Sequence, residues 1–110
     1  MSISFKINNK DKLARSGLLK TAHGDVNTPV FMPVGTYGAV KGINPKDLNS
    51  LGSEIILSNT YHLMERPGKD IISSLGCLRS FMGLDGPILT DSGVFRLCPY
   101  KIWLKLIIME

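Results

Sequence analysis

Cysteines, long apolar segments and runs of like charge are scarce in this sequence, and each shortage excludes a class of protein. Cys77 and Cys98 show no Cys-x-x-Cys spacing and no histidine at metal-ligand spacing, which excludes a disulfide-rich fold and a compact zinc motif. The apolar tail, residues 102–109, falls well short of the ~18 residues of a membrane span. Residues 1–9 alternate apolar and polar side chains and do not form a secretory signal. We therefore expect a reduced, cytoplasmic chain with no membrane partner.

The size and composition of the chain indicate one small folded domain. Its 110 residues are far fewer than the ~250 of a complete α/β barrel. With 44% hydrophobic and 20% charged residues, the composition is not that of a disordered chain. The net charge of +4 is carried by scattered lysines and arginines. This excess fits a nucleic-acid partner, and it fits an ordinary small domain as well.

The first third of the chain predicts antiparallel β-structure. Ile3, Phe5 and Ile7 alternate with polar residues, which indicates a strand with one buried face. The elements predicted after it are a second strand at 13–21, a turn at 22–25, an edge strand or extended segment at 26–34 and a loop at 35–38. The segment 26–34 is assigned to an edge because its two prolines cannot donate to a β-ladder.

The following part of the chain alternates helices with buried strands. Asn44 and Pro45 predict a helix start, since asparagine caps helices and proline suits the first helical position. The predicted elements are a helix from 45 to about 52, a buried strand at 53–60, a helix at 69–75, a short helix at 79–82 and a buried strand at 87–90. Two strands joined by a helical crossover form a parallel βαβ unit.

Polar residues follow both predicted buried strands. Asn59 ends the first and Asp91 the second, and the carboxyl ends of parallel strands are where α/β proteins bind ligands. A carboxylate there could accept hydrogen bonds from a base or act as a general base. The alternative is structural: Asp91 caps a turn and Asn59 begins a loop.

Other polar residues carry weaker signals. His62, expected in the loop after the first buried strand, and His23, expected in a turn, are interpreted as structural histidines. Arg66 precedes Pro67 and Gly68 and either binds phosphate near a helix start or remains solvated. The loop 32–36 has no side chain with an obvious catalytic role.

Several long motifs occur in one order and together resemble the bacterial tRNA-guanine transglycosylases, also called queuine tRNA-ribosyltransferases. They are Ala14-Arg15-Ser16-Gly17, Thr21-Ala22-His23-Gly24, Thr28-Pro29-Val30-Phe31-Met32-Pro33-Val34-Gly35-Thr36, Asn59-Thr60-Tyr61-His62-Leu63, Arg66-Pro67-Gly68 and Pro87-Ile88-Leu89-Thr90-Asp91-Ser92-Gly93. The match covers residues 3–93 in register. Such a set is far more specific than any single motif.

The resemblance implies an α/β fold: the N-terminal part of a (β/α)₈ TIM-like barrel, preceded by an antiparallel β-sheet and here incomplete. It implies exchange of guanine at the tRNA wobble position for a queuosine-precursor base of the 7-deazaguanine type, through a covalent intermediate between a later aspartate and the ribose. Asp91 corresponds to the family's proton acceptor, which helps to hold the base. The residues predicted to bind the substrate are Asp91, Ser92, Gly93, Phe95 and Asn59.

The resemblance also implies partners and a metal. The full-length family binds tRNA, forms a homodimer and holds a structural zinc through three cysteines and a histidine near its C-terminus. We expect no cofactor in this chain, because those ligands are absent from its 110 residues.

The sequence departs from the family after Gly93. The family continues Gly-Phe-Gln-Ala-Leu-Ser-Leu, which can be written GGT TTT CAG GCT TTG TCC TTA. Loss of one leading G gives GTT TTC AGG CTT TGT CCT TA, which encodes the residues found from Val94 to Pro99 and the start of the Tyr100 codon. We therefore predict that residues 1–93 are the N-terminal portion of the enzyme and that 94–110 are out of frame. Phe95 then occupies the place of the family's base-stacking aromatic residue, although it arises from shifted codons.

The predicted frameshift has a physical consequence. Two of eight barrel strands leave open sheet edges and an uncovered apolar face, so we expect marginal folding and no activity in isolation. The alternatives are a non-catalytic fragment that binds tRNA or a partner, and an enzyme completed by a second chain.

Overall fold

A computed structural model of the chain describes residues 3–91, which form a three-stranded antiparallel sheet followed by a small parallel α/β layer. The strands are β1 (Ser4–Asp11), β2 (Ala14–Thr21), β3 (Gly24–Thr28), β4 (Ile56–Asn59) and β5 (Ile88–Asp91). The helices are α1 (Pro45–Ser50), α2 (Thr60–Glu65), α3 (Lys69–Ser74) and α4 (Leu78–Met82). The predicted order of elements is confirmed, with one further helix, α2.

The antiparallel sheet has the order β1-β2-β3, so β3 is an edge strand. The predicted bounds are wrong, because β3 begins at Gly24, inside the predicted turn 22–25, and ends at Thr28, before both prolines of the segment 26–34. Phe5 pairs with Leu19 and Ile7 with Gly17, and the register shifts at a bulge between Ile7 and Asn9. A Cβ on Gly17 would approach the Phe5 ring to 2.6 Å, because that ring lies across the glycine.

The prediction of a buried face on β1 is wrong. All eight residues of β1 are exposed, and Phe5 and Ile7 keep 47% and 46% of their surface accessible. The alternation of apolar and polar residues is correctly that of a strand with an apolar face, but none of the described residues covers that face sufficiently to bury it.

The second sheet is parallel, as the helical crossover predicts. Asn59 pairs with Asp91 and Ile56 with Ile88, in a continuous register. β4 is well buried, with Ile56 and Ser58 almost inaccessible. The prediction that β5 is a fully buried strand is wrong, since Leu89 is 47% exposed. Within the described residues β5 has a strand neighbour on one side alone, so its outer edge is uncovered.

A third extended segment lies on the other side of β4. Val34 forms a parallel bridge with Leu57, and the Leu57 N–H donates to the Pro33 carbonyl at 2.9 Å. Residues 33–35 therefore occupy the place of a further parallel strand, with β4 in the middle of the layer.

The start of α1 follows from local chemistry. The Asn44 side chain accepts a hydrogen bond from the Asp47 N–H at 2.9 Å, and Pro45 occupies the first turn. Both features match the prediction for this helix start.

The apolar core lies between the parallel strands and the helices. Its buried members are Leu48, Ile56, Leu63, Ile72, Leu78, Met82 and Leu84. Every helix contributes at least one of them, so the core fixes how the helices pack against β4 and β5. No closed barrel is formed by the described residues, and none of their helices is long and apolar enough to cross a membrane.

Candidate functional site at the carboxyl edge of the parallel strands

The two predicted strand-end residues lie side by side. Asn59 and Asp91 are register partners at the last position of β4 and β5. The expectation that they come together at one edge of the sheet is therefore confirmed. Asp91 is exposed, while Asn59 is partly buried at the start of α2. A carboxylate and an amide thus face the same region at the end of the parallel layer.

The Asn59 side chain also caps helix α2. Its Oδ1 accepts a hydrogen bond from the His62 N–H at 3.2 Å, which caps α2. Because an amide oxygen and an amide nitrogen project from the same carbon, the cap fixes where the Asn59 NH₂ group lies. Asn59 is therefore a helix cap that also presents two N–H donors at the strand end. The alternative in which it merely begins a loop is wrong.

The loop 32–36 contributes more to this edge than its side chains indicate. The Gly35 N–H donates to the Leu57 carbonyl at 2.7 Å, and the buried Ser58 hydroxyl donates to the Gly35 carbonyl at 2.8 Å. A Cβ on Gly35 would come within 3.1 Å of the Met82 side chain. These contacts join the loop to the middle strand, and sequence reasoning missed them because both partners are distant in sequence.

The turn 35–38 is closed by a second glycine. The Gly38 N–H donates to the Gly35 carbonyl at 3.1 Å. Gly38 has φ +81°, and a Cβ there would overlap the Phe81 ring of α4. The turn is thus held by β4 on one side and by α4 on the other, and it carries the exposed Tyr37 at its tip.

His62 lies in α2, where the prediction placed it in a loop. Its ring makes edge-to-face contacts with Tyr37, at 5.2 Å between centroids, and with Tyr61, at 5.5 Å. The His62 Nδ1 is buried and has no hydrogen-bond partner among residues 3–91. These contacts support the interpretation of His62 as a packing residue, and they connect α2 to the turn 35–38.

The structure gives less information on the other residues that the sequence analysis singled out. Arg66 follows α2 as an exposed residue. His23 lies in the β2–β3 turn, where its N–H donates to the Thr21 hydroxyl at 3.1 Å. Ser92, Gly93 and Phe95 lie outside the described residues. Within residues 3–91, no group of three or more His, Cys, Asp or Glu side chains could hold a metal ion.

Cys77 is the one free thiol in the described part of the chain. Its Sγ lies 3.3 Å from the Ser80 hydroxyl, one turn into α4. Hydrogen bonding from the Ser80 side chain, followed by the Ser80 backbone, holds the pKa of the Cys77 thiol below its ordinary value.

The fold and the residues at the carboxyl ends of β4 and β5 together indicate a class of protein. Parallel strands that end in an acid and an amide, with a helix begun by that amide, are the arrangement of an α/β enzyme whose site is at the carboxyl ends of its strands. A family model described as Queuine tRNA-ribosyltransferase matches residues 10–106, and the chain belongs to this family of TIM-barrel enzymes.

Individual relatives support the same assignment. The chain is 54% identical over 94 residues to the Queuine tRNA-ribosyltransferase of Neisseria meningitidis serogroup B, which covers 86% of this chain and 25% of the relative. It is 56% identical over 94 residues to the enzyme of that name from Nitrosomonas eutropha, covering 86% of this chain and 26% of the relative. The chain therefore spans about a quarter of the length of the curated relatives that it matches.

Proposed function

We propose that this chain carries the first part of the active site of a tRNA-guanine transglycosylase that works in the cytoplasm. The reaction is replacement of guanine at the tRNA wobble position by a 7-deazaguanine-type base. The observation that carries the proposal is the register pairing of Asn59 with Asp91 at the carboxyl edge of the layer. Membership of the family supplies the reaction class.

The chemistry of this edge suits recognition of a purine-like base. A guanine ring presents N–H donors and a carbonyl acceptor along its edge. The Asp91 side chain can accept hydrogen bonds from such donors, and it can take a proton when the departing and entering bases exchange. The Asn59 amide, fixed by its cap to α2, is a neighbouring donor.

Asp91 alone does not complete the reaction. The resemblance assigns attack on the ribose C1′ to an aspartate of a later barrel strand, so that a C–O bond to the enzyme forms as the C–N bond to guanine breaks. The incoming base then displaces the enzyme carboxylate. We propose that the 110-residue chain by itself is inactive, and that its reading frame is lost after Gly93.

The first experiment reads the gene around the Gly93 codon. Restoring one base there should open a longer frame that contains the later aspartate and the zinc cysteines. A restored frame that ends within a few codons, or lacks those residues, would contradict the frameshift.

The second experiment tests Asp91 in the restored chain by incorporation of labelled guanine into tRNA. Asp91→Asn should lower the rate by about 10²-fold or more, because the amide cannot take the proton. Asp85→Asn is the matched control, since Asp85 is exposed and precedes β5. Equal rates for the two variants would remove Asp91 from the mechanism.

A non-catalytic role is the second candidate, favoured by the net charge of +4. In that case the 110-residue chain binds tRNA or a partner chain without exchange. Binding that weakens steeply with salt would support this role.

A further inference from the structure

Tyr37 is an exposed aromatic residue on a rigid turn at the carboxyl edge. Its side chain is 52% accessible, although the turn that carries it is bonded to β4 and packed against α4. Here the backbone on both sides of Tyr37 is fixed by Gly35 and Gly38.

The ring of Tyr37 is also oriented. His62 contacts it edge to face, with 5.2 Å between ring centroids, an arrangement that aromatic pairs favour. His62 is itself fixed by its place in the first turns of α2, next to the Asn59 cap. One side of the Tyr37 ring is therefore held, and the accessible remainder faces outward.

The position of Tyr37 relative to the site follows from the strand order. β4 lies between the segment 33–35 and β5. Tyr37 follows the first and Asp91 ends the second, so the two residues flank the end of β4. If an RNA base is bound at Asp91, the nucleotide next to it in the RNA would lie near Tyr37.

We propose that Tyr37 is a stacking platform for an unpaired RNA base next to the base that is exchanged. The inference rests on the proposed function, which makes RNA the ligand of this edge. Sequence-specific contacts to RNA are made largely to unpaired bases, which stack on aromatic side chains. A ring that is already oriented loses little side-chain entropy when a base stacks on it.

The test uses the 110-residue chain and an RNA stem-loop with 2-aminopurine at single positions of the loop. Stacking quenches 2-aminopurine fluorescence, so one loop position should be quenched on binding. Tyr37→Ala should remove the quenching and weaken binding roughly 5- to 150-fold. Tyr37→Phe should retain both within about twofold, since it keeps the ring.

Two further variants separate stacking from folding and from nonspecific effects. Tyr37→Leu keeps apolar bulk and should fold, yet it should lose the quenching. Phe31→Ala is the matched control, because Phe31 is 82% exposed and lies before the segment 33–35, at the other end of the layer. It should leave RNA binding unchanged.

Several outcomes would overturn the inference. One is the absence of quenching with the unaltered chain, and another is quenching that persists in Tyr37→Leu. A third is an equal loss of RNA binding in Tyr37→Ala and Phe31→Ala. A sedimentation measurement in which Tyr37→Ala converts a dimer to a monomer, with quenching unchanged, would assign Tyr37 to contact with a second copy. The restored Asp91→Asn chain could lose exchange while the Tyr37 variants leave RNA binding and quenching unchanged. That result would contradict this inference and still support the proposed function.

Discussion

The two sheets of this molecule differ in what covers them. The parallel layer buries the side chains of β4 against four helices, and Leu63 of α2 is wholly inaccessible. The antiparallel sheet has Val26 inaccessible at one side, while the whole of β1 is exposed. The candidate site lies on the well-packed layer. Stability and the site are thus concentrated in residues 33–91, and the first sheet is more loosely held.

A hydrogen-bonded contact joins the two regions. The Asn27 N–H of β3 donates to Glu54 Oε2 at 2.5 Å, and the Asn27 side-chain NH₂ donates to Glu54 Oε1 at 3.2 Å. Glu54 comes just before β4. This carboxylate joins the edge of the antiparallel sheet to the amino-terminal end of the parallel layer, away from Asp91.

The largest effect is expected from Leu63→Ala. Removing a fully buried leucine should lower the free energy of unfolding by about 2–5 kcal/mol, because it leaves a cavity in the core. Leu13→Ala is the matched control, since Leu13 is 97% exposed in the β1–β2 turn, and it should change stability by less than about 0.5 kcal/mol. Urea unfolding followed by circular dichroism gives both values, and similar losses would refute the contrast between the regions.

Gly38→Ala should destabilise next most strongly. The new Cβ would overlap the Phe81 ring, and its φ of +81° disfavours any residue with a Cβ. Gly42→Ala separates the two causes, because Gly42 has φ +80° with open space around it. We expect a loss of about 1 kcal/mol for Gly42→Ala and clearly more for Gly38→Ala. If the two variants unfold at the same urea concentration, Phe81 does not hold the turn.

Glu54→Gln should weaken the connection between the regions by about 1 kcal/mol. One carboxylate oxygen is replaced by an NH₂ group, so a donor then faces the Asn27 donors. Hydrogen exchange should become faster at the Asn27 amide and stay unchanged in α2. Glu65→Gln is the control, because Glu65 accepts from the Tyr61 hydroxyl within the same helix. Uniformly faster exchange over both sheets would argue against a local connection.

The smallest effect concerns Cys77. Because its thiol pKa is lowered, the reactive thiolate should form at lower pH than in an ordinary cysteine. In a Cys98→Ser background, the pH profile of alkylation by iodoacetamide should have its midpoint below that of a free thiol. Ser80→Ala should move the midpoint upward, since it removes the Ser80 hydroxyl that hydrogen-bonds to the thiol. A midpoint unaffected by Ser80→Ala would show that this hydrogen bond does not act on the thiol.

Local chemistry was predictable from the sequence, and long-range contacts were not. The start of α1 follows from Asn44 and Pro45, because cap and helix are neighbours in the chain. The alternation in β1 correctly indicates a strand with an apolar face. It cannot show whether another element covers that face, which is why the burial of Phe5 was predicted wrongly.

The candidate site was likewise predictable from the sequence only where local patterns determine it. Asn59 and Asp91 were predictable because strand ends meet whenever a crossover joins two parallel strands. The hydrogen bond between Gly35 and Ser58 and the packing of Tyr37 on His62 join residues more than twenty positions apart in the sequence. No local pattern specifies such contacts. The family motifs include Gly35 and His62, yet a motif does not state which residues touch.

The most direct test of the account measures guanine exchange into tRNA by the 110-residue chain and by the frame-restored chain, side by side. We predict no incorporation of labelled guanine by the 110-residue chain and clear incorporation by the restored chain. Incorporation by the purified 110-residue chain would contradict the claim that these residues carry only one part of the active site.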